Sequence, residues 1–66
     1  MPVIQVNVWK GISQEKIEYI IKNITQVFVD LDVPADAVSV IVHEIPKEHW
    51  GEGGDTCAVR FKDIEP

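Results

Sequence analysis

Two short stretches of period-two hydrophobicity, VIQVNVW (3–9) and VSVIVHE (38–44), flank one long stretch of helical periodicity, and that order leaves few folds open. In the first stretch Ile4, Val6 and Val8 share one face and Gln5 and Asn7 the other, as in a half-buried strand. In the second, Val38, Val40 and Val42 make an apolar face, and Ser39, Ile41 and His43 a mixed one. Between them Gly11 breaks the first strand, Ser13 offers an N-cap, and Glu15 suits the positive end of a helix dipole. Ile17, Ile20, Ile21, Ile24, Val27, Phe28 and Leu31 then recur at helical spacing, which predicts one apolar stripe on a helix of about five turns. Asp32-Val33-Pro34 ends it. Strand, long helix, strand implies parallel strands, a right-handed crossover, and a helix lying over the valine-rich faces.

The rest of the chain is short. IPKEHWGEGGD carries Gly51, Gly53 and Gly54 and reads as a turn or hairpin; TCAVRF (56–61) reads as a short strand and KDIEP as a tail. The expected fold class is therefore α+β, a small β-α-β protomer with parallel strands and a short C-terminal hairpin or strand. It forms a single domain over residues 1–66. Such a protomer is incomplete. Two strands and one helix leave sheet edges unpaired and one sheet face uncovered, and an isolated strand pair is not stable alone. A domain of this length buries only about 60% of the surface its unfolded chain exposes, and the usual remedies are disulfides, a metal or a partner chain. Cys57 is the only cysteine, so no intrachain disulfide forms, and its apolar flanks suit a buried small hydrophobe. The sheet is expected to be completed by copies of the same chain.

Charge and hydropathy remove several functions. Eleven acidic against six basic residues leave a formal charge of -5, and Lys10, Lys16, Lys22, Lys47, Arg60 and Lys62 are scattered without forming a stripe. No nucleic-acid partner is expected of that pattern. No apolar run approaches the roughly 20 residues a membrane span requires. No basic-then-apolar leader opens the chain, so the expected address is the cytoplasm.

Few constellations carry chemistry. His43, Glu44 and His49 lack metal-ligand spacing: the histidines are six apart in sequence, on a strand and a loop, with Pro46 between them. No metal and no cofactor are expected. The glycines of GEGG are not followed by the Lys-Ser/Thr of a phosphate loop and read as hairpin residues. Asn23-Ile24-Thr25 matches a glycosylation triplet but falls mid-helix. Ser39 and Cys57 have no sequence-adjacent base to make either a nucleophile. Pro2 has two readings. At a strand's start a proline costs little and is punctuation. With Met1 removed, as is usual ahead of proline, its ring nitrogen is instead a free secondary amine, which is a base.

Taken together, Met1-Pro2, the strand ending at Trp9, "KGIS" before the helix, "LDVP" after it and "KEHWGEGG" beyond the second strand resemble the 4-oxalocrotonate tautomerase family over nearly the whole chain. Pro2 combined with "HWGEGG" is the specific part. The resemblance implies protomers that pair into a four-stranded sheet, with three pairs forming a homohexamer. It also implies a cofactor-free isomerase in which Pro2 is an amino-terminal general base, moving a proton on an enol or unsaturated 2-keto acid such as 2-hydroxymuconate. A free α-amino group titrates near 7.7–8, and proline's secondary amine is intrinsically more basic. An apolar or cation-lined pocket would keep it neutral and active. Trp50 stands where the family keeps an aromatic wall.

The chain departs from the family at two positions. Ile12 and Ser39 stand where the family usually carries arginines that hold the substrate's carboxylate and keto oxygen, and neither can imitate a bidentate guanidinium. Ser39 remains a candidate hydrogen-bond donor to substrate. Arg60, the only arginine, is the candidate cation, ahead of Lys10 and Lys47. Two alternatives stay open. One is a hydratase- or dehalogenase-like enzyme of the same fold, with Glu52 or Glu44 activating water. The other is a non-catalytic oligomeric small-molecule binder that has lost the arginine clamp.

Overall fold

The structure, a computed structural model, describes residues 1–66. Strand β1 (Val3–Trp9) and strand β2 (Ser39–Ile45) run parallel in register from Val3 opposite Ser39 to Trp9 opposite Ile45. Helix α1 (Gln14–Val29) crosses between them and packs on the sheet. Ile4, Val6, Val8, Val40 and Val42 are half-buried beneath it, while Val3, Gln5, Asn7, Ser39, Ile41 and His43 face outward. The alternation read from the sequence therefore sets the sheet's two faces. The second strand begins one residue later than expected because the Val38 amide closes a one-turn 3-10 helix (Ala35–Ala37) by bonding the Ala35 carbonyl at 3.1 Å.

Helix α1 starts where Ser13 predicts. The Ser13 hydroxyl accepts the Lys16 amide at 3.3 Å. Its end is a Schellman closure: the Val33 amide bonds the Phe28 carbonyl and the Asp32 amide the Val29 carbonyl, each at 3.0 Å. Asp32 sits at φ 67°, the left-handed conformation this closure needs. The helix is thus slightly shorter than expected. Leu31 and Val27, both assigned to the apolar stripe, are respectively 66% and 56% exposed. A sheet of two strands spaced about 4.8 Å apart is narrower than the roughly 10 Å width of a helix, so the margin of the stripe overhangs it.

The C-terminal segment differs from expectation in one element. A 3-10 turn (Lys47–His49) leads into a hairpin of β3 (Gly51–Glu52) and β4 (Asp55–Thr56), with Gly53 at φ 63° and Gly54 at φ 91° supplying the two positive φ angles of a type I′ turn. The expected strand over 56–61 is instead a single helical turn, α2 (Cys57–Arg60). Ladder pairing stops after the Cys57 amide bonds the Trp50 carbonyl at 2.7 Å, because the residues before Trp50 are already coiled and offer no strand to pair with. Closing the turn, with the Phe61 amide on the Cys57 carbonyl at 2.8 Å, places Cys57 and Phe61 on one side. Cys57 is completely buried, as its apolar flanks imply.

Only Ile17 and Cys57 of the 66 residues are buried. The radius of gyration is 14.6 Å, against about 11 Å for a compact chain of this length. The accessible surface is 4981 Å², where a compact monomer of this mass exposes about 4200 Å². Val3 and Ile41 stand uncovered on the outward sheet face. Both outer strand edges are also open.

Candidate functional site

The candidate residues fall into two groups at opposite ends of the parallel strands. Pro2 and Ser39 share the N-terminal end: the Ser39 amide donates to the Pro2 carbonyl at 3.0 Å, and Ser39 lies opposite Val3 in register. This bond fixes the Pro2 main chain through its carbonyl. Met1 is 95% exposed, so its removal takes no packing away.

Trp50 lies at the other end, about 23 Å along β1 at 3.3 Å per residue. There Val8, Trp9, Ile12, Trp50, Glu52 and Pro66 line an open pocket of about 260 Å³. Trp9 and Trp50 meet edge to face, centroids 6.3 Å apart at 78°, and Phe61 leans on Trp9 at 5.7 Å. The Lys47 ammonium is 4.6 Å from the Trp9 ring centroid and donates to the carbonyls of Phe61, at 2.7 Å, and of Ile64. Lys47 thus straps the last residues across the aromatic cluster. Gly11, at φ 111°, closes the approach: a Cβ there would lie 3.0 Å from the Pro66 ring.

The other candidate groups also belong to this end. Arg60 Nη1 donates to the Glu52 carbonyl at 2.9 Å and its guanidinium carbon lies 5.6 Å from the Phe61 centroid, while its other N–H donors make no bond within the chain. The Glu44 carboxylate accepts the Gly11 amide at 3.3 Å. Lys10 lines a separate groove with Lys47, Glu48 and Glu65 on the other side of Pro66. No single chain brings Pro2 and Trp50 together.

Val8, Trp9 and Pro66 are pocket residues whose part the sequence did not reveal, and Trp9 is the largest of them. The available signal was its position: a bulky aromatic on the face of β1 that carries Gln5 and Asn7, at the strand's end, in a chain with one other tryptophan.

Comparison with known proteins follows the same lines. A family model described as "Tautomerase enzyme" matches residues 2–60. The chain belongs to the tautomerase family. Tautomerases are isomerases, and the chain is an enzyme of that class. It is 37% identical over 58 residues to the 2-hydroxymuconate tautomerase of Stutzerimonas stutzeri, a match spanning 86% of this chain and 92% of the relative. Its fold superposes with a TM-score of 0.88 on a 4-oxalocrotonate tautomerase homologue of the tomaymycin biosynthetic pathway, at 34% identity over 92% of this chain and 95% of that one. A heterohexameric 4-oxalocrotonate tautomerase from Chloroflexus aurantiacus gives 0.80 at 27% identity, over 88% and 95% of the two chains. In this tautomerase the Lys47 strap reaches Phe61 and Ile64, just past the matched region.

Proposed function

We propose that this tautomerase moves a proton on an enol or unsaturated 2-keto acid, with the Pro2 nitrogen, freed by removal of Met1, as its general base. The observation that carries the reading is the setting of Pro2. Its carbonyl is fixed by the Ser39 amide at 3.0 Å, and the residue whose removal would free its nitrogen is exposed. The 2-hydroxymuconate tautomerases among its relatives support the substrate class.

The reaction conserves atoms and electrons. The neutral amine takes the enol O–H proton, the oxygen's electron pair forms the carbonyl, and the shifted double bond takes the proton back at a distant carbon. A base with its pKa near ambient pH does this best. Ser39 donates a hydrogen bond to substrate oxygen, and the unbonded N–H donors of Arg60 take the carboxylate. Trp50 walls the reacting carbons from water.

These groups meet only between copies. Two chains related by a two-fold axis and paired along open strand edges run antiparallel, so the Pro2 end of one lies beside the Trp50 end of the other. The exposed Val3 and Ile41, and the overhanging Val27 and Leu31, supply apolar surface for further contacts. We take the working form to be a homohexamer of three such pairs, a reading supported by the hexameric Chloroflexus neighbour.

The test is the ketonisation rate of 2-hydroxymuconate on protein whose mass shows Met1 removed, beside the Pro2→Ala variant. A rate well above buffer that falls at least about a hundredfold in the variant is expected for loss of a positioned base. Equal rates in the two proteins would discard Pro2 as the base.

A further inference from the structure

We propose that the tryptophan pocket favours substrates with one carboxylate and a flat apolar tail over the corresponding dicarboxylates, which still turn over, but more slowly. This rests on the reading of Pro2 as base, with the pocket of one chain receiving the part of the substrate remote from Pro2 of another.

The first support is composition. Four of the six lining residues, Val8, Trp9, Ile12 and Trp50, present apolar surface. The single charged side chain among the six is a carboxylate, Glu52. Beside it the one guanidinium, Arg60 on the Glu52 carbonyl, serves the substrate's first carboxylate. A second negative group entering the pocket therefore meets a like charge and loses water with no cation left to it, which is the costly case for burying charge.

The second support is where the cations are. Lys47 faces Trp9 from the side of the strap, with its ammonium on two main-chain carbonyls. Lys10 lies in the groove beyond Pro66, among Glu48 and Glu65. The chain has one arginine, Arg60, so each site has one guanidinium for one carboxylate. A second carboxylate has none. Ile12, at the mouth of α1, offers a hydrocarbon side chain in its place.

The third support is shape. The edge-to-face tryptophans leave a volume of about 260 Å³, and an apolar cavity of about 150 Å³ already accepts benzene. A conjugated chain or a ring fits between such walls.

Sorbate and trans,trans-muconate make the sharpest pair of probes, because they share one diene and differ only in a terminal methyl against a second carboxylate. Calorimetric titration of the assembled, Met1-free protein is expected to give sorbate an affinity at least tenfold higher. Glu52→Gln, at an exposed position, should raise muconate affinity several-fold and raise sorbate affinity by a smaller factor, so that the ratio of the two falls. Ile12→Arg should raise muconate affinity tenfold or more. Muconate binding as tightly as sorbate, or a ratio that neither variant moves, overturns the proposal.

Turnover separates this from the proposed function. Ketonisation of 2-hydroxypenta-2,4-dienoate is compared with that of 2-hydroxymuconate, which carries one carboxylate more. Preference for the mono-acid with loss of both rates in Pro2→Ala supports both readings. Preference for the diacid with Pro2 still required overturns the selectivity and leaves the base standing. Sorbate selectivity without Pro2-dependent turnover of either compound upholds the pocket and removes Pro2.

Discussion

At one end of the β1–β2 pair, a half-buried Pro2 and an exposed Ser39 are joined by one main-chain bond, with no aromatic side chain packed over them. At the other end the same two strands are closed off by Trp9, Trp50, Phe61 and the fully buried Cys57, with Lys47 strapping the last residues down. The open end has the proposed base without walls, and the closed end has walls without a base. A chain that separates these by the length of a strand makes a site only by meeting another chain. The same shortage explains why two residues of 66 are buried. On the proposed function, catalytic completion and completion of the core draw on the same association.

The contrast can be broken first at Pro2. A chain carrying an extra uncleaved residue ahead of Pro2 has an amide nitrogen there, which is no base. Tautomerisation should fall about 10² to 10⁴-fold, while the urea midpoint stays within error, because this end contributes little packing. A matching loss of stability would mean that the open end is structural after all. At the closed end, Trp50→Ala should lower both stability and activity. Loss of a half-buried tryptophan is expected to cost about 2 kcal/mol, below the range for fully buried ones, readable in urea unfolding at fixed protein concentration.

Cys57→Ser places a hydroxyl in the most buried position of the chain and should cost about 1–3 kcal/mol unless it finds a partner. Unfolding midpoints at equal concentration check it. Ser39→Ala sharpens the contrast from the other side: it should lower kcat/KM roughly tenfold through one lost hydrogen bond to a charged substrate group, with stability unchanged. The smallest effect is expected away from both ends. Asp32→Gly relieves a left-handed backbone at φ 67° and should raise stability by about 0.5 kcal/mol, seen as a small upward shift in midpoint.

Much of this molecule is legible along the chain. The alternation of Ile4, Val6 and Val8 against Gln5 and Asn7 determined β1 and its buried face, Ser13 determined the start of α1, and Gly53-Gly54 determined the hairpin turn. These are local matters: the period of a side-chain pattern, one cap and one pair of backbone angles. The tertiary structure decided the rest. TCAVRF has strand-like alternation, yet it coils because no neighbouring strand remains to pair with it. Trp9 becomes a wall because Trp50 and Phe61, far away in sequence, fold onto it. The division of Pro2 from Trp50 is likewise invisible in a motif that contains both. Spacing along the chain says which residues a family keeps, whereas distance across the fold says which of them one chain can bring together.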